Sequence, residues 1–256
     1  GEPEGIDASI WFADDLLRNH KGMFSLLDHC VVCIIPVYSV GGCLNRSAYH
    51  RTGQTTPKKC GHRGNAKNLD LNRDFVKMDT RNARSLAKTI HAWDPDIFVD
   101  THSTNGADYP YTVTLIASHP QQLEEPHSTF MQEVMEPALY KAMNDSPYKM
   151  CRYVNVFRTT PDQGFEGFID TPRYLAGYTT FFQVLAFTVE THMLKPYYER
   201  VLSTKYFLEE IVLFTHKHAE EIARSKQRAI QKNMEKTEHV LRWENDKTRF
   251  DNILFR

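Results

Sequence analysis

The stretch Asp96-Ile97-Phe98-Val99-Asp100-Thr101-His102 decides the fold. Ile97 to Thr101 reads as a short buried strand, rich in β-branched residues, that closes on an acid and an imidazole. Upstream, Thr80 to Trp93 reads as a helix, and Asp94-Pro95 ends it. Downstream come a strand over Tyr111 to Ala117, a mostly helical Gln121 to Met143, and a strand-like alternation over Met150 to Phe157. Thr159 to Thr171 reads as loop, Arg173 to Gln183 as a short helix, and Val184 to Glu190 as a second buried strand. Tyr198 to about Asn233 is a long helix with a charged face. Towards the start, Ile6 to His20 reads as a helix, Val31 to Val40 as a continuous buried strand, and Ser39 to Asp74 as a long polar loop. The last residues, Asp251 to Arg256, look like the start of a strand. Alternating strands and helices predict an α/β fold: a mixed, largely parallel twisted sheet with helices on both faces, in one domain over residues 1–256.

Composition narrows the functional classes. Of 256 residues, 41 % are hydrophobic and 25 % charged, which excludes collagen-like, coiled-coil and wholly disordered chains. The formal net charge of −1 leaves no basic footprint, so nucleic acid is not expected as a partner. The longest apolar run, Cys30 to Tyr38, is far shorter than the roughly 20 residues that span a bilayer, so no membrane span is expected. Five cysteines leave at least one unpaired within the chain. Cys30 and Cys33 form a C-x-x-C without a second ligand pair, and they read as core packing in an apolar strand. A bridge between Cys43 and Cys60 across a loop is possible but not expected. The opening Gly1-Glu2-Pro3, without an initiator Met, reads as a fragment or a processed product.

In open α/β sheets, ligands bind beyond the carboxyl ends of the strands. Three polar clusters sit at such places. His102 ends one strand, where the sheet fixes the position of the imidazole. Glu190 ends another, where burial raises a carboxyl towards the range useful for a general base. The third cluster is Asn68-Leu69-Asp70-Leu71-Asn72-Arg73-Asp74-Phe75, in which Arg73 can fork onto a carboxylate beside the Asn72 amide. Arg46, Arg51 and Arg63 add cations to the same loop, a set suited to an anionic substrate group or a developing oxyanion. Each cluster has a plainer reading: a surface His, a salt-bridged Glu, a loop held by Asx turns.

Together these pieces resemble the zinc carboxypeptidases of the carboxypeptidase A type. The resemblance rests on Asp70-x-Asn72-Arg73 in a long loop, a strand ending in His102, and a strand ending in Glu190. It also rests on Gly1-Glu2-Pro3-Glu4-Gly5, which is similar to the second half of the family's His-x-x-Glu motif. It runs from Glu2 to about Pro196, and Asn68 to Phe75 and Val189 to Pro196 look like bacterial members. The resemblance implies a metallocarboxypeptidase that holds one Zn²⁺ per site and acts on peptides with a free C-terminal carboxylate. It implies Glu2 and His102 as two of three zinc ligands, with the first His absent from the chain and the domain cut at its N-terminal edge. Asp70 matches the acid that orients that His, Asn72 and Arg73 the carboxylate grip, and Glu190 the general base. Arg51 matches the group that polarises the scissile carbonyl, with Arg46 and Arg63 as alternatives. Tyr174 and Tyr178 are both candidates for the family's mobile substrate-binding Tyr. The resemblance favours a secreted or periplasmic location. It leaves two rivals: a zinc amidase acting on N-acyl amino acids or cell-wall peptides, and a binding homologue without catalysis. Counting ligands, residues 1–256 alone are expected to hold zinc poorly.

Overall fold

The structure is a computed structural model, and it describes residues 1–155, 164, 166–242, 244, 248 and 252. Its elements in chain order are α1 (Glu4–Leu17), α2 (Val40–Leu44), β1 (Arg46–Ser47), β2 (Cys60–Gly61), α3 (Arg81–Trp93), β3 (Ile97–Ser103) and β4 (Val113–Ala117). There follow α4 (His127–Phe130), a wider turn over Met131–Met135 that runs into α5 (Glu136–Asp145), then β5 (Met150–Arg152), α6 (Leu175–Thr179), β6 (Leu185–Thr191) and α7 (Tyr197–Glu235). Four strands form one sheet in the order β3-β6-β4-β5. β3 runs parallel to β6, β6 antiparallel to β4, and β4 parallel to β5, so the sheet is mixed and largely parallel, as expected. No helix among the described residues is long and apolar enough to cross a membrane.

The two-residue period of a strand sorts β3 and β6 into two faces. On one face Ile97 and Val99 pack with Leu185, Phe187 and Val189 against Phe207 and Ile211 of α7 and Met131 and Leu139. On the other face Phe98 packs against Leu86 and Ile90 of α3 and Leu175 of α6. Helices therefore cover both faces. The helix α3 begins where Thr80 caps it, its hydroxyl accepting from the Ala83 N–H at 3.0 Å. Asp74, buried, accepts from the N–H of Asp79, the N–H of Thr80 and the Thr80 hydroxyl, and this ties the preceding loop to the helix. Burial pushes the Asp74 carboxyl up, but those hydrogen bonds outweigh it and hold the group below the usual range.

Three expectations are corrected. Val31–Val40 does not form a buried strand: it pairs with no strand among the described residues, and Val31 and Ile35 are exposed. A β-branched run favours extended backbone, but only a hydrogen-bonded neighbour makes it a strand, and here none is present. Cys30 and Cys33 accordingly lie outside the core, at half-exposed and exposed positions. All five cysteines are free thiols, so Cys43 and Cys60 are not bridged. The helix α1 starts at Glu4, earlier than Ile6, because the Pro3 carbonyl already accepts from the N–H groups of Ile6 and Asp7. Most of Asp251–Arg256 and part of Met150–Phe157 and Thr159–Thr171 lie outside the described residues.

β3 is an edge of the sheet, and among the described residues no strand pairs with its outer side. Beside it lies a cavity of about 970 Å³, bounded by Val31–Tyr38, α1, β3 and α7. The start of α1 comes very close to β3. A Cβ added at Gly5 would sit 2.1 Å from the Thr101 hydroxyl oxygen and 2.8 Å from its Cβ. Gly5→Ala is therefore expected to push α1 off the strand and destabilise the protein by about 1–3 kcal/mol, the usual range for overpacking; chemical denaturation of the two proteins measures it.

Candidate active site

The carboxyl end of β3 is where four of the predicted residues, Glu2, Arg51, His102 and Glu190, meet. His102 is flanked by two carboxylates: its Nδ1 lies 2.8 Å from Glu2 Oε2 and its Nε2 2.9 Å from Asp100 Oδ2. Arg51 donates from Nη1 to the other Glu2 oxygen at 2.6 Å. Glu190 stands directly across from His102 in the parallel register of β3 and β6. Phe98, Asp100 and His102 share one face of β3 by the strand period, and Glu190 shares the matching face of β6. Strand pairing and the α1 terminus thus bring Glu2, Arg51, Asp100, His102 and Glu190 together from four separate parts of the sequence.

Electrostatics follows from that crowding. Burial alone would lower the His102 pKa, but Asp100 and Glu2 outweigh it and raise it well above the ordinary value. Burial alone would raise the Glu2 carboxyl, but His102 and Arg51 reverse this and hold it well below the carboxylate range. Glu190 has no such compensation. Burial, reinforced by Glu2 and Asp100 and only partly offset by His102, pushes it up to about 8. The two carboxylates thus favour the charged form of the doubly hydrogen-bonded imidazole, and burial favours the protonated form of the acid opposite it.

The other predicted residues are spread more widely. Asp70 caps the turn at Leu71–Arg73, accepting from the Asn72 N–H at 3.0 Å, and its second oxygen accepts from Arg63 Nε at 2.9 Å. Arg46 is exposed and donates to the Lys59 carbonyl at 3.0 Å. Of the three candidate arginines, Arg51 is the one that reaches Glu2. Glu2, Arg51, Asp70, Asn72, Asp100 and His102 line the cavity beside β3. Arg73 donates to the Asn72 carbonyl at 2.7 Å and lies over the Tyr174 ring at 4.6 Å. The backbone carries this pairing, because the Val76 N–H donates to the Pro172 carbonyl. Tyr178 is instead a core residue, packed against Phe75, Phe181 and Phe182.

Sequence reasoning assigned no role to Asp100. Its signal was present: a residue two positions before His102 on a strand shares its face. It also passed over Asp170, which is buried and whose carboxyl is pushed up to about 7 by burial and by the charge of Asp100. Nothing in Phe168-Ile169-Asp170 marks that aspartate as an interior residue before the fold is known.

The described residues do not fit a complete zinc centre. Glu2 and His102 are donors of the right kind, and they converge. Both ring nitrogens of His102 are, however, engaged by carboxylates. No group of three His, Cys, Asp or Glu among the described residues could hold a metal ion, whereas a catalytic zinc normally takes three protein ligands. Glu2 and His102 would have to exchange their mutual hydrogen bond for a shared ion, and a third donor would have to come from outside these residues.

No family model matches the sequence, and no curated protein matches it. Solved structures do match. The chain is similar to a metallo-carboxypeptidase from Burkholderia cenocepacia, with a TM-score of 0.56 and 16 % identity, over 85 % of this chain and 56 % of that one. It is similar to a metallo-carboxypeptidase from Pseudomonas aeruginosa in complex with (2-guanidinoethylmercapto)succinic acid, with a TM-score of 0.53 and 15 % identity, over 83 % and 53 %. A third match is a putative carboxypeptidase from Burkholderia mallei, with a TM-score of 0.55 and 20 % identity, over 85 % and 55 %. The fold is thus carboxypeptidase-like, and the chain spans about half the length of these neighbours.

Asp170 makes stability depend on pH in a definite direction. Its folded pKa of about 7 lies above the ordinary aspartate value of 3.8, so the folded protein keeps a proton that the unfolded chain releases. Its contribution is present below about pH 4, falls as pH rises, and is lost above about pH 7. Each tenfold change in proton affinity is worth about 1.4 kcal/mol, so the loss is on the order of a few kcal/mol. Asp170→Asn is expected to raise the melting temperature more at pH 8 than at pH 5, and thermal melts of both proteins at the two pH values check this.

Proposed function

We propose that the protein hydrolyses the C-terminal peptide bond of peptides, as a metallocarboxypeptidase. The observation that carries the reading is the meeting of Glu2, Arg51, His102 and Glu190 at the carboxyl ends of two parallel strands, on a carboxypeptidase-like fold. Glu190, across from His102 at the end of β6, is the proposed general base: in its ionised form it takes a proton from the attacking water and returns it to the leaving amine. Arg51 is the proposed stabiliser of the developing oxyanion, its guanidinium being held at the end of β3. Asn72 and Arg73 are the proposed grip on the terminal carboxylate, with Tyr174 stacked on Arg73. The neighbour from Pseudomonas aeruginosa binds a succinic acid derivative, an acid of the class such a grip would take. Zinc belongs to this reading, with Glu2 and His102 as two of its donors. Asp70, paired to Arg63, is the proposed support for a third donor from outside the described residues.

A second reading, a binding homologue without catalysis, draws on one observation: His102 has both nitrogens committed and no third donor joins it among the described residues. Metal analysis after dialysis against a weak chelator, on protein that also supplies the third donor, with a panel of peptides carrying free or amidated C-termini, separates the two. Stoichiometric zinc with release of C-terminal residues supports the enzyme; ligand binding without zinc or turnover supports the binder.

Two substitutions test the assigned roles. In protein that also supplies the third donor, Glu190→Gln is expected to keep zinc and peptide binding and lower kcat by about 10²–10⁴, the usual worth of a general base; near-normal turnover would remove Glu190 from the mechanism. Arg73→Ala is expected to weaken hydrolysis of free-carboxyl peptides far more than that of amidated ones. Equal losses on both substrates would make Arg73 structural.

A further inference from the structure

We infer that Glu4 and Arg200 are positioning residues that set the working groups of the site from the opposite face of the sheet. Glu4 is 1 % exposed and Arg200 fully buried. Glu4 Oε1 accepts from Arg200 Nη1 at 2.8 Å, from the Thr191 hydroxyl at 3.1 Å, and from the Ser103 hydroxyl. Arg200 donates through Nη2 to the Thr56 carbonyl and lies over the Tyr197 ring at 5.4 Å. The Thr191 hydroxyl also lies 3.2 Å from the His102 carbonyl oxygen.

The partners are not random neighbours. Ser103 follows His102, Thr191 follows Glu190, Glu4 lies two residues after Glu2, and Thr56 sits in the loop that carries Arg51. One carboxylate oxygen therefore joins the element bearing Glu2 to those bearing His102 and Glu190, and the guanidinium joins them to the Arg51 loop and to α7. Ser103 and Thr191 face α1 and α7, whereas His102 and Glu190 alternate to the other side. The clamp thus holds the chemistry by the backbone behind it, without touching it.

Stability alone does not account for such a pair. Desolvating a carboxylate and a guanidinium costs about what their attraction returns, and apolar residues of similar volume often replace buried ion pairs without loss. Each partner also retains a buried polar atom with no hydrogen bond among the described residues, Glu4 Oε2 and Arg200 Nε. What apolar replacements would lack is the directional link to Ser103, Thr191 and Thr56.

The inference rests on the reading of Glu2, His102 and Glu190 as the working groups, so its test needs a readout apart from turnover. In ¹⁵N-labelled protein, the low-field ring N–H resonances of His102 report its contacts with Glu2 and Asp100. The double variant Glu4→Leu with Arg200→Met keeps the volume and removes the link. Thr191→Val removes only the hydroxyl between Glu4 and the strand ends. A folded variant of either kind is expected to shift or lose the His102 resonances. Where the parent protein cleaves peptides, kcat is expected to fall about tenfold or more, with KM changed less than about threefold, as for misplaced catalytic groups. Should the double variant fail to fold, Thr191→Val alone decides. Unchanged His102 resonances in a folded variant would overturn the inference, whether or not the protein is an enzyme; resonances that respond as expected in an inactive parent keep the clamp, the hydrolase reading being decided by the zinc and peptide measurements.

Discussion

The parallel ladder between β3 and β6 is the constraint on which the rest of the molecule depends. It sets Ile97 against Leu185 at one end and His102 against Glu190 at the other, so a single register aligns both the core and the site. A slip of β3 by one residue would turn His102 towards α7 and bring Val99 out of the core, while Glu190 and Phe187 kept their faces. Packing energy spread along Val99, Leu185, Phe187 and Val189 thereby holds two polar side chains where neither would choose to sit. The α1 terminus then joins this frame, and it can do so closely because Gly5 has no side chain to meet Thr101.

Much of this was legible in the sequence, for physical reasons. The apolar runs at Ile97 and Leu185 are long enough, and bounded sharply enough by Asp94-Pro95 and Gln183, to declare buried strands. A polar residue that ends such a run must face solvent or a cleft, which pointed to His102 and Glu190. The arginines could not be sorted by spacing, since Arg46, Arg51 and Arg63 share one irregular loop; only the folded loop brings Arg51 to Glu2. Tyr178 and Tyr174 were equivalent on paper, and burial among phenylalanines against stacking on Arg73 now distinguishes their surroundings.

The failures have a common cause. Val31–Val40 carries every local mark of a strand, yet strand formation is a property of pairs, and the sequence of one segment cannot state whether a neighbour is present. Glu4 and Arg200 were invisible for a related reason. They lie 196 positions apart, one near a helix start and one in a charged-looking helix, and each alone reads as a surface residue.

The unpaired outer side of β3 has a consequence for the molecule in solution. Along its seven residues β3 turns alternate amide and carbonyl groups to its outer side, the kind of row on which a further strand can extend a sheet. A net charge of −1 gives little mutual repulsion between molecules. Such an edge is where strand pairing between molecules would begin.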